Sequence, residues 1–142
     1  MCREALISYL KQYTALDRTI DRKLAAIEGL QEAASRTTAR YEPKAKGGSV
    51  YKAGNALAAK IDLEKSLLDD VSRLIDLYQE LNSLFDHVDD DRLRLILLYR
   101  YIDGYTFEQI AEKLGLSWKR TFDLHKKALE EVWTIWTARN GC

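Results

Sequence analysis

The chain has 142 residues, of which 46% are hydrophobic and 31% charged; that balance suits a folded, water-soluble protein and excludes a disordered one. One proline and seven glycines are too few for a turn-rich sandwich or barrel, so long helices are expected. The formal charge of +0 conceals a division, with net +5 over residues 36–60, −8 over 61–91 and +4 over 113–127, and the neutral total therefore does not exclude a nucleic-acid surface.

At the N-terminus, Met1-Cys2-Arg3-Glu4 lacks a signal-peptide core, and no apolar run approaches the roughly 18–20 residues of a membrane span. A cytoplasmic protein with no membrane contact is expected. Cys2 and Cys142 lie at opposite ends and read as reduced thiols. His87 and His125 show no ligand spacing with them, so no metal and no other cofactor is expected.

The first element is a helix from about residue 3 to 33, with Leu6, Leu10, Tyr13, Leu16, Ile20, Leu24, Ile27 and Leu30 recurring at steps of three and four. The mean step is near that of a coiled-coil seam. Such a helix is roughly 45 Å long and needs a partner along its length. Residues 35–54 interrupt the pattern with Pro43, Lys46-Gly47-Gly48-Ser49, and Tyr41 and Tyr51 among basic residues. This stretch reads as a mobile basic connection, either solvated or ordered on a phosphate backbone.

A second helix is expected from about residue 55 to 88, its seam formed by Leu57, Ile61, Leu67, Leu68, Val71, Leu74, Leu77 or Tyr78, Leu81, Leu84 and Val88. Two seams of similar length predict an antiparallel hairpin, closed within one chain or zipped with a second. Asp89-Asp90-Asp91 stands where the next helix begins, and carboxylates there cap an N-terminus. That helix, about 91–102, is apolar nearly all round, with Arg92, Arg94 and Arg100 as its polar residues, and is expected to be buried. Gly104 supplies a left-handed stop.

Residues 105–129 carry the most specific signal. Thr106 and Gln109 form a capping box. Phe107, Ile110, Ala111 and Leu114 share one face of the helix it starts. Gly115 breaks that helix, Leu116 points inward, and Ser117 caps a second helix that turns Thr121, Leu124, Ala128, Leu129 and Val132 inward. Two short helices joined by a tight glycine turn define a helix-turn-helix. If the second helix enters a major groove, Ser117, Trp118, Lys119, Phe122, Asp123 and Lys126 face the bases. Lys119 suits guanine O6/N7, Asp123 cytosine N4, and Phe122 a thymine methyl. Arg120, Lys126 and Lys127 suit phosphates. Trp118 either stacks at the DNA surface or covers the core, and His125 is expected to make a hydrogen bond at the rim. The sequence shows no nucleophile–base pair, glycine-rich phosphate loop or metal cluster, so a non-enzymatic protein is expected.

The run Leu97-Leu98-Tyr99-Arg100-Tyr101-Ile102-Asp103-Gly104-Tyr105-Thr106-Phe107-Glu108-Gln109-Ile110-Ala111, with Leu114-Gly115-Leu116-Ser117 and Leu124-His125-Lys126-Lys127-Ala128-Leu129, resembles region four of bacterial sigma factors. It is more similar still to the small phage and prophage proteins of the ArpU/RinA type, with Lys60-Ile61-Asp62-Leu63-Glu64 matching a stretch of theirs. The resemblance implies a sequence-specific DNA-binding regulator, often of late phage genes. Thr121 stands where related recognition helices usually place Val, and Phe122 and Asp123 where they place basic or polar residues.

The sequence therefore predicts an all-α protein: a coiled-coil-like helical hairpin over 1–88 and a helix-turn-helix domain over 89–142. Its expected partner is double-stranded DNA, bound by a homodimer joined through the hairpin. An adaptor that docks on RNA polymerase or a sigma factor, and a small terminase subunit, are the alternatives.

Overall fold

The computed structural model describes residues 2–39 and 48–141, and side chains over 3–35 and 54–141. The described residues form five helices: α1 (Cys2–Ala39), α2 (Gly48–Phe85), α3 (Asp91–Tyr101), α4 (Phe107–Leu114) and α5 (Trp118–Asn140). The all-α class and the long packed α1–α2 pair agree with the sequence reading. The side chains of Cys2 and Cys142, and the basic connection around Tyr41 and Pro43, lie outside the described residues.

Three expected boundaries move. Residues 35–39 and 48–54 are helical, not part of a connection, because 35–39 contain no glycine or proline and Gly54 costs only about 1 kcal/mol inside a helix. The second helix stops at Phe85 instead of Val88. There the chain turns, with the Val88 amide donating to the Phe85 carbonyl at 2.9 Å. Arg94 fixes that turn, its Nη2 donating to the Val88 carbonyl at 2.9 Å.

The chain divides into two compact units, Leu16–Arg73 and a larger one of Met1–Ala15 with Leu74–Cys142. In the larger unit the start of α1 lies antiparallel to the end of α2. The Tyr9 hydroxyl donates to Glu80 at 2.7 Å, and the Tyr13 and Tyr78 rings are 6.1 Å apart. Leu6, Leu10, Leu81, Leu84, Phe85 and Val88 share one core with Leu93, Ile96, Leu97, Ile110, Leu124, Ala128 and Val132 of the three C-terminal helices. Each fully buried aliphatic side chain of this kind contributes about 1.5–3 kcal/mol. Contrary to the expectation of burial all round, α3 hides Leu93, Ile96, Leu97 and Tyr101 while Leu95 is exposed, since only one of its sides meets other helices.

In the smaller unit the seam differs from the one expected. The seam runs through Ala56, Lys60, Leu63, Leu67 and Asp70 of α2 and Leu16, Ile20, Lys23, Ile27 and Leu30 of α1, with Ser66, Val71, Thr19 and Ala34 also partly buried beside it. Both rows alternate steps of three and four, as a coiled-coil seam requires. Leu24, Leu57, Ile61 and Leu68 are displaced outward, Leu68 to 70% exposure. The cause is polar pairing: Lys23 Nζ reaches Ser66 Oγ at 2.6 Å and Asp70 Oδ2 at 2.5 Å. A charged pair inside a seam fixes register, since a slip leaves both groups without partners.

Replacing Lys23 with Ala should destabilise the protein by about 1–3 kcal/mol, because Asp70 loses its cation in a partly buried position. Adding Asp70→Ala should recover part of that loss. Urea denaturation of both variants measures the difference.

Candidate nucleic-acid interface

The helix-turn-helix is assembled by local hydrogen bonds. The Asp90 carboxylate accepts from the amides of Arg92 and Leu93 at 2.9 and 3.3 Å, so the acidic triplet caps α3. The chain leaves α3 through Gly104, at φ 73°. The Thr106 hydroxyl accepts from the Gln109 amide at 3.2 Å, and the Gln109 side chain accepts from the Thr106 amide at 2.9 Å, completing the capping box of α4.

The turn between α4 and α5 depends on one backbone conformation. Gly115 has φ 65°, a region that penalises any residue carrying a Cβ. The amide of Leu116 then donates to the Ala111 carbonyl at 2.9 Å and that of Gly115 to Glu112 at 3.3 Å, which is the Schellman pattern. Ser117 follows at once as the cap of α5, its Oγ accepting from the Arg120 amide at 3.1 Å. Ala111 is buried, and Leu116 is partly buried against the core.

Thr121 is fully buried. Its methyl-bearing side chain fills the site, and its hydroxyl donates to the Ser117 carbonyl at 2.9 Å, so no polar group is left unsatisfied. Leu124, Ala128 and Val132 are buried beside it.

On the opposite side, Ser117, Trp118, Lys119, Arg120, Asp123, Lys126 and Lys127 are all exposed, and Phe122 is half-buried. Near its start that face meets an earlier helix through Phe107 of α4 and otherwise stays exposed. Farther along α5, Arg3 of α1 pairs with Glu130 at 3.0 Å and lies 5.6 Å above the Trp133 ring. The accessible face is therefore the first two and a half turns.

The aromatic residues of this face form a cluster that sequence reading missed. Trp118 stacks on Phe122 at 5.2 Å with an interplanar angle of 5°, and Phe107 meets Phe122 edge-on at 5.4 Å. Lys126 Nζ sits 4.8 Å from the Phe122 ring, and the Arg100 guanidinium lies 4.4 Å from the Phe107 ring. Trp118 nevertheless remains 49% exposed: it packs on Phe107 and Phe122 and is otherwise open to solvent. The i, i+4 spacing of Trp118 and Phe122 signalled their contact, whereas nothing in the spacing pointed to Phe107.

His125 corrects another expectation. It is buried instead of sitting at the rim, with Nε2 2.8 Å from the Tyr101 hydroxyl and its ring 4.8 Å from Phe107. Burial, and secondarily the Arg100 cation, lower its pKa from 6.5 to about 4. Burial also pushes the Tyr101 hydroxyl up to about 12. Both groups are neutral near pH 7, as a buried hydrogen-bonded pair requires.

No cluster of three or more potential metal ligands occurs among the described residues. None of their helices is long and apolar enough to cross a membrane.

Residues 90–132 match the family model Sigma-70, region 4. They span α3, α4 and most of α5, the segment whose caps and turn are described above. No curated protein and no solved structure matches the chain. The C-terminal helices thus form a sigma-factor-like helix-turn-helix, a DNA-binding class of domain.

The pH dependence of folding follows from His125. The folded state keeps the imidazole neutral, while the unfolded chain takes up a proton near pH 6.5. Stability from this group is full above pH 6.5 and is lost as pH falls toward about 4. The loss should reach about 3 kcal/mol. Urea midpoints recorded across this range should show it in the native chain and show a flatter profile for His125→Gln.

Proposed function

We propose that the protein is a sequence-specific DNA-binding regulator of transcription, of the phage or prophage kind, acting on late genes. One observation carries this reading: the cationic outer side of α5 is open to solvent, directly after a Schellman turn that sets it off from α4. The match of 90–132 to Sigma-70, region 4 supports the DNA-binding part, and the similarity to ArpU/RinA-type proteins supports the phage context.

In this reading residues 89–142 bind DNA, and the hairpin over 1–88 joins two copies. Lys119 and Asp123 reach base edges, one donating to guanine and the other accepting from cytosine. Arg120, Lys126 and Lys127 hold phosphates. Ser117 already accepts a backbone amide, and its hydroxyl hydrogen is left to donate to a phosphate. Phe122 is held between Phe107 and Trp118, so its ring edge and the outer face of Trp118 supply apolar contact for thymine methyls or sugars. Two copies would read half-sites about one helical turn apart or a multiple of it.

A second reading has support in one observation. The aromatic-acidic pair Phe122-Asp123, with Phe122 half-buried and Asp123 exposed, also suits a protein partner such as RNA polymerase.

Selection of bound sites from random and genomic DNA at two salt concentrations tests the reading. Specific enrichment that survives moderate salt is expected. Lys119→Ala with Arg120→Ala should weaken binding by about 1–3 kcal/mol if a base pair is read directly, and should shallow the salt dependence. Unchanged affinity of that double variant in low-salt gel shifts overturns this surface. Capture of polymerase that persists at high salt, with no DNA shift, selects the second reading.

A further inference from the structure

Three rings meet at the start of α5, and their spacing leaves one ring face open. Trp118 and Phe122 lie parallel at 5.2 Å, and Lys126 Nζ stands 4.8 Å from the Phe122 ring. Phe107 is nearly perpendicular to both, 5.4 Å from Phe122 and 6.4 Å from Trp118. A ring lying over the far face of Trp118 would be closer to Trp118 than to Phe122. Phe107 is closer to Phe122, so it borders the stacked pair and leaves the far face of Trp118 uncovered. Trp118 is accordingly 49% exposed, whereas Phe122 is half-buried.

The charges on this same face select the occupant. Lys119, Arg120, Lys126 and Lys127 are exposed, with Asp123 as the one carboxylate among them, so residues 119–127 carry net +3 and favour a polyanion. In a paired duplex the groove displays base edges, and a flat ring there meets only methyls and sugars. A base released from its pair offers its face, and every base has one. Trp118 opens α5, the part of a recognition helix that meets the bases. Phe122 and Phe107 hold its ring before any ligand arrives, so little freedom is lost when a base stacks on it.

We propose that Trp118 is a stacking platform for one unpaired base, and that the site prefers duplex DNA carrying such a base to fully paired DNA. This rests on the reading that α5 binds DNA, and it specifies the form of DNA taken. Stacking of one base on an aromatic ring changes affinity by about 5- to 150-fold. Opening an intact pair consumes most or all of that gain. The base must therefore be unpaired already, at a bulge, a mismatch or the edge of a melted stretch.

Fluorescence anisotropy of the full chain with three labelled duplexes of one sequence, at low salt, tests this. One duplex is fully paired, one carries a single extra thymine, and one carries an abasic residue in place of that thymine. The abasic bulge bends as the thymine bulge does but offers no ring. The thymine bulge should bind about 10-fold tighter than the abasic one. Trp118→Ala should bring that ratio close to one and Trp118→Phe should keep part of it, with helical content by circular dichroism unchanged in both. Equal affinity of the wild-type chain for the two bulges, or a ratio that Trp118→Ala leaves intact, overturns the platform; binding to the paired duplex then still supports the regulator. Binding to none of the three duplexes ends the regulator and the platform together. Capture of polymerase by the wild-type chain and not by Trp118→Ala, with the two bulges bound equally, assigns the ring to a protein partner instead.

Discussion

A continuous line of ring contacts connects the foot of the long helices to the exposed surface of α5, and the geometry of that surface depends on it. Phe85, fully buried at the end of α2, lies 6.4 Å from Tyr101. Tyr101 is hydrogen-bonded to His125, His125 packs on Phe107, and Phe107 meets Phe122, which stacks with Trp118. Rings have few rotatable bonds and prefer tilted or offset contacts, so a chain of this kind transmits position with little play. The first turn of α5 is thereby located by packing from beneath as well as by the turn at its N-terminus.

The polar groups along this line explain why burial is tolerated. A histidine sealed from water would be costly if charged, and its lowered pKa keeps it neutral across the physiological range. Tyr101 supplies the hydrogen bond that the imidazole would otherwise lack. Arg100 stays near the surface, donating to the Tyr105 carbonyl and lying over Phe107; there it contributes a cation–π contact to the junction between α3 and α4. Basic residues in this region thus divide into those used within the protein and those, such as Lys119, Arg120 and Lys127, that face outward. Only the second group is available to a polyanion.

In the long helices the same logic operates in reverse. A seam made only of leucines specifies register weakly, because a slip by one heptad restores the same packing. Lys23 with Ser66 and Asp70 removes that ambiguity. The consequence is that four apolar side chains one residue out of the seam stay uncovered.

Local chemistry was legible from the sequence alone. The Asp90 and Ser117 caps, the Thr106–Gln109 box and the left-handed glycines at 104 and 115 each involve residues within five positions of one another, so nearest-neighbour rules decide them. The inward positions of α5 followed from period, and the outer cationic face followed from them. Only the tertiary structure decided which of two adjacent stripes on α2 meets α1, since Leu67 and Leu68 are equally apolar and a charged residue in the seam becomes favourable only when its partner lies across it. The same holds for His125, whose environment is set by Tyr101, 24 residues away, and by Phe107 on a different helix. Propensity and spacing act over a turn or two of chain, whereas burial and polar pairing are properties of neighbours that folding brings together.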